Sequence, residues 1–180
     1  MFKDFNIDKF KKIKPPSNNS FNTMQEVKHL SKLKLDKDKV KYFDDIEKSF
    51  SDVAKKHNVK NYDNKLVKKI INSSKETILK LKNYFNRPRP KVVAKKLNIK
   101  LNNFETKTMK TFSYPSGHST QGILLGLVLS KKYPTLSKEF KSVGNKISDS
   151  RNIAKAHYKS DSKLGELLGK AMYEHIKNKI

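Results

Sequence analysis

A stretch near the C-terminus, residues 150–161, brings together a guanidinium, an imidazole and a carboxylate. Arg151 precedes His157 by six residues, and Asp161 follows that histidine by four. An arginine can hold a phosphate with two parallel hydrogen bonds, and a histidine can attack phosphorus. A carboxylate can fix which ring nitrogen of the histidine carries the proton. The stretch therefore indicates chemistry on a phosphate group.

A second stretch, Pro-Ser-Gly-His at residues 115–118, precedes an apolar run that is typical of a buried helix. The Ser116 hydroxyl and the Gly117 backbone N–H would then lie at a tight turn that opens this helix. Backbone N–H groups and the helix dipole both favour an anion at such a position. His118 adds a second imidazole, which can exchange a proton with a reacting oxygen.

A third stretch supplies further cations, and it leaves two registers open. Lys80 with Arg87 and Lys82 with Arg89 have the same spacing, and each arginine precedes a proline. At about 100° per residue, Lys82 lies roughly 60° from the centre of the apolar stripe of its predicted helix, and Lys80 lies roughly 140° away. We therefore expect Lys82 to point inward and Lys80 to face water. Arg87 is then either a supporting partner of the site or a spectator.

Arginine is rare in this chain, although the chain is strongly basic. Of 41 basic residues only three are arginine, at positions 87, 89 and 151, and the rest are lysine. Because the planar arginine fork suits phosphate better than the point charge of lysine, the arginines mark the same two places. Arg89 and Arg151, together with Lys82, would neutralise the oxygens of a bound phosphate.

The net charge of +24 does not by itself predict a nucleic-acid-binding protein. The lysines are scattered, without the blocks of like charge that mark interaction tails. The resulting field attracts small anionic substrates instead. The chain has no cysteine, which excludes a disulfide framework and a thiolate metal site.

The ends and the apolar segments predict a soluble protein of one domain over residues 1–180, with an extended lead-in at residues 1–22. The first residues lack the apolar segment of a signal peptide. The apolar run at residues 123–129 is far shorter than the ~20 residues that a membrane-spanning helix needs. We therefore expect no transmembrane span and, by default, a cytoplasmic location.

Helical periodicity predicts an all-α fold, a compact bundle of about six helices. The predicted helices cover about residues 23–35, 37–56, 63–85, 118–132, 136–156 and 160 onward, with Ser160 as the N-cap of the last. Thr23 and Glu26 fit a capping box, and residues 91–113 are predicted to be mostly loop. His29, His57 and His175 are interpreted as ordinary surface or packing residues. Two glycine pairs would permit close helix packing: Gly122 with Gly126, and Gly165 with Gly169.

The three stretches, in this order within residues 82–161, resemble the signature motifs of the type 2 phosphatidic acid phosphatase superfamily. That superfamily includes bacterial non-specific acid phosphatases and vanadium haloperoxidases. The resemblance implies a metal-independent phosphatase in which His157 attacks phosphorus and forms a phosphohistidine. It also implies that Asp161 orients that ring and that His118 is the general acid and base. No cofactor is expected, and vanadate would bind as a phosphate mimic.

Two alternatives stay open beside the phosphatase. One is a vanadate-dependent haloperoxidase that uses the same pocket, and the other is a basic nucleic-acid-binding protein with a relic pocket. The expected partner of the phosphatase is a small phosphorylated substrate, and both a soluble phosphate and a lipid phosphate fit the motifs. A lipid phosphate would have to reach the site from a membrane surface.

Overall fold

The computed structural model describes residues 1–106 and 108–180. These residues contain helices, turns and bends but no strand, which confirms the predicted all-α class. A single 3-10 turn, Pro134–Leu136, leads into α8. The α-helices in chain order are α1 (Asp8–Lys11), α2 (Phe21–Lys32), α3 (Lys37–Asp44), α4 (Ile46–Lys56), α5 (Asn64–Phe85), α6 (Pro90–Lys96), α7 (Gly117–Lys132), α8 (Ser137–Ile153) and α9 (Lys159–Ile176).

Helix α7 forms the centre of the molecule because it is apolar on nearly all sides. It packs mainly against α8 and α9. Glycines make this close approach possible: a Cβ at Gly144 would lie 2.5 Å from the Gly122 carbonyl oxygen. A Cβ at Gly165 would lie 2.6 Å from the Ser116 carbonyl oxygen. The glycines therefore let α8 and α9 reach the N-terminal end of α7, where the predicted site residues meet.

The predicted helix over residues 37–56 is two helices, α3 and α4. Asp45 has an extended backbone between them, and its side chain accepts a hydrogen bond from Lys48 N at 2.9 Å. Aspartate favours such a cap over a helix interior because its carboxylate competes for backbone N–H groups. The break leaves Asp44 half-buried at the C-terminal end of α3, where its carbonyl and carboxylate can bind groups outside the helix.

The predicted capping box at the start of α2 is wrong. Ser20 caps the helix and accepts from Thr23 N at 3.2 Å, so the helix begins before Thr23. Glu26 turns instead toward the first turn of α9. The N-cap predicted at Ser160 is also wrong, because Tyr158 occupies that position.

Two segments that were predicted to be non-helical each contain a short helix. Helix α6 occupies the start of the predicted loop over residues 91–113, with Pro90 at its first turn, where proline costs no hydrogen bond. The lead-in contains α1, and Phe2 and Phe10 of this segment are buried in the main core. His175 packs against the Phe2 and Phe5 rings, as expected for a packing histidine.

The apolar run of α7 is too short to span a membrane, and the other described helices give the same result. None of the helices in the described ranges combines the length and the apolar character that crossing a membrane would require.

Candidate active site

His157 lies just before α9, and Asp161 lies in the first turn of that helix. Both side chains are buried, and His157 Nδ1 is 3.2 Å from Asp161 Oδ2. Tyr158 N donates to the same carboxylate oxygen at 3.0 Å, and the Ser113 hydroxyl also donates to it. The four-residue spacing brings ring and carboxylate together because the chain turns into a helix between them.

The hydrogen bonds of His157 determine its tautomer. Arg89 NH1 lies 2.9 Å from His157 Nε2. A guanidinium can only donate, so Nε2 accepts, and the proton is on Nδ1, which donates to Asp161. Burial lowers the pKa of His157 well below its usual value, and the charges of Arg89, Lys82 and Arg151 lower it further. The ring is therefore neutral, with its lone pair on Nε2.

Backbone carbonyls bind two basic side chains of the predicted site, Arg89 and Lys82. Arg89 donates to the Thr111 carbonyl at 2.8 Å and to the Ala156 carbonyl at 2.9 Å. Lys82 Nζ donates to the Phe112 carbonyl at 2.5 Å, and its side chain is buried. Burial, followed by the charge of Arg89, lowers the pKa of Lys82 to about 7. Burial also lowers the pKa of Arg89 to about 10, which leaves it charged at neutral pH.

The two registers of the lysine–arginine motif have different surroundings. Lys80 is exposed and pairs with Glu76 at 2.7 Å, whereas Lys82 points into the protein, as the helix geometry predicts. Arg87 is buried and binds Asp161 Oδ1 at 2.7 Å, so it supports the carboxylate and not the pocket itself. Of the two registers, Lys82 with Arg89 is therefore the one whose lysine is buried and whose arginine contacts His157.

Ser116 and Gly117 lie at the start of α7, as predicted. The Ser116 side chain caps the helix: its oxygen accepts from Ser119 N at 3.3 Å and from the Ser119 hydroxyl at 2.9 Å. Ser116 is buried, and its hydroxyl proton is not used in either of these hydrogen bonds. A Cβ on Gly117 would lie 4.0 Å from Lys82 Cε, which places this helix end against the buried lysine. Ser116 N donates to the Asp161 carbonyl at 3.0 Å and so joins α7 to α9.

Asp44 is a residue of the site that the sequence did not reveal. Its carboxylate Oδ1 lies 3.2 Å from His118 Nε2 and 2.8 Å from Arg151 NH1. Its carbonyl oxygen lies 3.1 Å from the same His118 nitrogen. Because a carbonyl can only accept, His118 Nε2 carries a proton. The one local signal for Asp44 was the Asp-Asp pair that interrupts an otherwise continuous helical stripe.

Charges around Asp44 set the protonation of this second half of the site. Burial tends to raise the pKa of Asp44, but the hydrogen bond with His118 and the charge of Arg151 hold it well below its usual range. Burial and then Arg151 lower the pKa of His118, and Asp44 opposes them. Arg151 is buried, and its Nε has no hydrogen-bond partner among the described residues. The Nε of Arg87 is likewise buried without a partner among the described residues.

The predicted residues converge on one place. Hydrogen bonds join Arg89, His157 and Asp161, and both His118 and Arg151 contact Asp44. The start of α7, which carries His118, lies against Lys82. In the described ranges, no group of three or more histidine, aspartate or glutamate side chains could hold a metal ion.

An open cavity lies on the His118 side of this cluster. It measures about 420 Å³, and His118, Asp44, Lys41, Lys75 and Gln121 are among the residues that line it. His157 does not line it. A larger surface groove of about 840 Å³ lies along the end of α4 and the start of α5, and none of the predicted site residues lines that groove.

Comparisons with known proteins place the motifs in a family context. The family model described as the PAP2 superfamily matches residues 68–175. Over 95 residues, the chain is 35% identical to a non-specific acid phosphatase of Salmonella typhimurium and 34% identical to one of Salmonella typhi. The match covers 53% of this chain but 38% of each relative, so the chain spans well under half the length of these proteins. Asp44 lies outside the region matched by the family model.

Proposed function

The chain belongs to the PAP2 superfamily, and from that premise we propose that it is a phosphatase that hydrolyses phosphate monoesters without a metal ion. The observation that carries the proposal is the tautomer of His157. His157 is a buried neutral imidazole whose unprotonated Nε2 accepts from Arg89 NH1 at 2.9 Å, and a bound phosphate would compete for that guanidinium. Such a nitrogen is a nucleophile beside a site for an anion.

Phosphate binding uses donors that are not fully satisfied. Arg151 offers its unpartnered Nε, and Ser116 offers its hydroxyl proton. A bound dianion would stabilise the protonated form of Lys82, whose pKa near 7 in the empty site reflects burial and the charge of Arg89. These donors are fixed before substrate arrives, so charge that develops on the phosphoryl oxygens is stabilised without reorganisation.

The first chemical step forms a bond between His157 Nε2 and phosphorus and breaks the bond from phosphorus to the leaving oxygen. His118 enters this step protonated on both ring nitrogens, passes one proton to that oxygen, and an alcohol leaves. Asp161 accepts the Nδ1 proton in a hydrogen bond and stabilises the positive charge that develops on the ring. The product of this step is a phosphohistidine and a neutral His118.

The second step reverses these roles. Neutral His118 takes a proton from water, the water oxygen bonds to phosphorus, and the bond from phosphorus to His157 Nε2 breaks. Inorganic phosphate leaves, and both imidazoles return to their starting forms. The position of His118 at the open cavity supports this assignment, because leaving group and water must both reach it.

The test is a labelling experiment with a phosphorus-labelled monoester. The protein is mixed with substrate and quenched in alkali, in which a phosphohistidine is stable, and a second portion is then acidified. We expect label on the denatured wild-type protein that is lost in acid, and none on His157→Ala. We also expect His118→Ala to accumulate label from a nitrophenyl ester, because this leaving group departs unprotonated while hydrolysis still requires a base.

Two results would contradict the proposal. Wild-type turnover without any trapped label would exclude a covalent intermediate on this chain, and label retained by His157→Ala would assign the nucleophile elsewhere. Vanadate should inhibit hydrolysis as a phosphate mimic. Halide oxidation by the vanadate-loaded protein, in the absence of phosphatase activity, would favour the haloperoxidase.

A further inference from the structure

We propose that Glu26 and Arg87 are positioning residues for the nucleophile, acting on His157 through Asp161. The expected effect on turnover rests on the proposed function. The expected effect on the tautomer of His157 does not depend on that function. Glu26 lies on α2, outside both the three motifs and the region matched by the family model.

Glu26 binds the first turn of α9 from a different helix. Its Oε1 accepts from Ser160 N at 2.7 Å, and its Oε2 accepts from the Ser160 hydroxyl at 2.8 Å. The first N–H groups of a helix have no partner within it, and a carboxylate is favoured there by the helix dipole. Glu26 therefore fixes the residue directly before Asp161, over a sequence separation of 134 residues.

Arg87 connects that carboxylate to Asp161. Its NH1 donates to Asp161 Oδ1 at 2.7 Å and to the Ser160 hydroxyl at 2.6 Å, and its NH2 donates to Glu26 at 3.0 Å. The guanidinium also lies over the Tyr158 ring, 3.8 Å from its centre. A rigid fork with three polar partners and an aromatic surface has one orientation, and lysine cannot reproduce it.

The chain of contacts controls the form of Asp161. Burial raises the pKa of Asp161, and Arg87, the Ser113 hydroxyl and Tyr158 N oppose that rise. An ionised Asp161 can only accept, which holds the proton of His157 on Nδ1 and leaves Nε2 unprotonated. Loss of the Glu26–Arg87 pair would let the carboxylate rotate or take up a proton, and the ring would then populate the other tautomer.

The first test reads the tautomer directly. Long-range proton–nitrogen correlation spectra of the full chain, labelled on histidine, distinguish a protonated Nδ1 from a protonated Nε2. We expect His157 of the wild type to show the Nδ1–H form. Glu26→Gln and Arg87→Lys should each show a mixture of the two tautomers. These variants keep the size or the charge of the original side chain.

The matched control is Asp63→Asn, which also removes a helix-capping carboxylate that pairs with a basic residue, Lys132. Asp63 begins α5 and does not contact the Glu26–Arg87 network. We expect this variant to lose stability while the His157 spectrum stays that of the wild type. Thermal unfolding of all three variants shows whether a variant is unfolded, so that a change in the tautomer of His157 can be distinguished from a loss of the fold.

The second test is turnover of p-nitrophenyl phosphate. We expect kcat to fall by about 10–100-fold in Arg87→Lys and Glu26→Gln, the size of effect that outer partners of a ligating histidine have, with KM unchanged. A wild-type spectrum in both variants, or a fall in kcat no larger than that of Asp63→Asn, would overturn the inference. If the wild type lacks turnover altogether, the proposed function fails, and the spectra still decide the inference.

Discussion

The two histidines of the candidate site are held in opposite ways. His157 is buried, and the carboxylate beside its Nδ1 is itself fixed by Arg87, Ser113 and Tyr158 N. Among residues 1–106 and 108–180, Asp44 is the one hydrogen-bond partner of the His118 ring, and it lies at a break between two helices and beside an open cavity. One imidazole lies in a buried network, and the other lines an open cavity.

This difference matches the two proposed tasks. A nucleophilic histidine must keep one tautomer and one ring orientation, because small errors in its alignment with phosphorus lower the rate strongly. A general acid and base must meet successive partners, a leaving oxygen and then water, so access matters more than rigidity. The nucleophile side comprises His157, Asp161, Lys82 and Arg89, and the acid side comprises His118, Asp44 and Arg151.

The largest expected effect is on the nucleophile side. His157→Ala should lower kcat for p-nitrophenyl phosphate by at least about 10⁴-fold, because no neighbouring group can replace the attacking nitrogen. Phosphate release measures the effect, and thermal unfolding should show that the variant remains folded. If the folded variant keeps its turnover, His157 is not the nucleophile, and the proposed difference between the nucleophile side and the acid side is wrong.

His118→Ala should give a loss that depends on the leaving group. With an alkyl phosphate, kcat should fall by about 10²–10⁴-fold, the usual contribution of a positioned acid. With a nitrophenyl ester the fall should be smaller, because a nitrophenolate leaves without a proton. Equal losses on both substrates would show that His118 does not protonate the leaving oxygen.

Lys82 and Lys80 form a matched pair on one helix. Lys82→Met should lower kcat by about 10²–10³-fold, as removal of one donor to a developing oxyanion does. Lys80→Met should leave kcat unchanged, because this side chain is exposed and pairs with Glu76. Similar losses in the two variants would contradict the assignment of Lys82 to the pocket.

The smallest effect is a change in pH dependence. His118 can donate only while protonated, so turnover of an alkyl phosphate should fall as the pH rises through the pKa of His118. Burial and Arg151 lower that pKa, and Asp44 opposes them. Asp44→Asn removes the opposing charge, so the falling limb of kcat should move to lower pH. A profile of kcat against pH that is unchanged in this variant would exclude Asp44 as the partner that keeps His118 protonated.

Local sequence patterns were sufficient to predict the candidate catalytic groups and the burial of the Lys82 side chain. The motifs name residues that lie on short, locally ordered segments, and helical periodicity is a property of neighbouring residues. The same reasoning failed at α2, α3 and α9, where the choice of cap depended on polar side chains that compete for backbone groups. Alternative caps one or two residues apart have similar local energies, so contacts from elsewhere decide between them.

The sequence by itself therefore determined the helical class, the set of groups that can act on phosphate, and the inward direction of Lys82. The tertiary structure decided which carboxylates serve the two histidines. Asp44 meets Arg151 across 107 residues, and Glu26 meets Ser160 across 134. A single carboxylate has no periodic pattern that would reveal its partner, because the partner is chosen by how α3 packs beside α8 and how α2 reaches the start of α9.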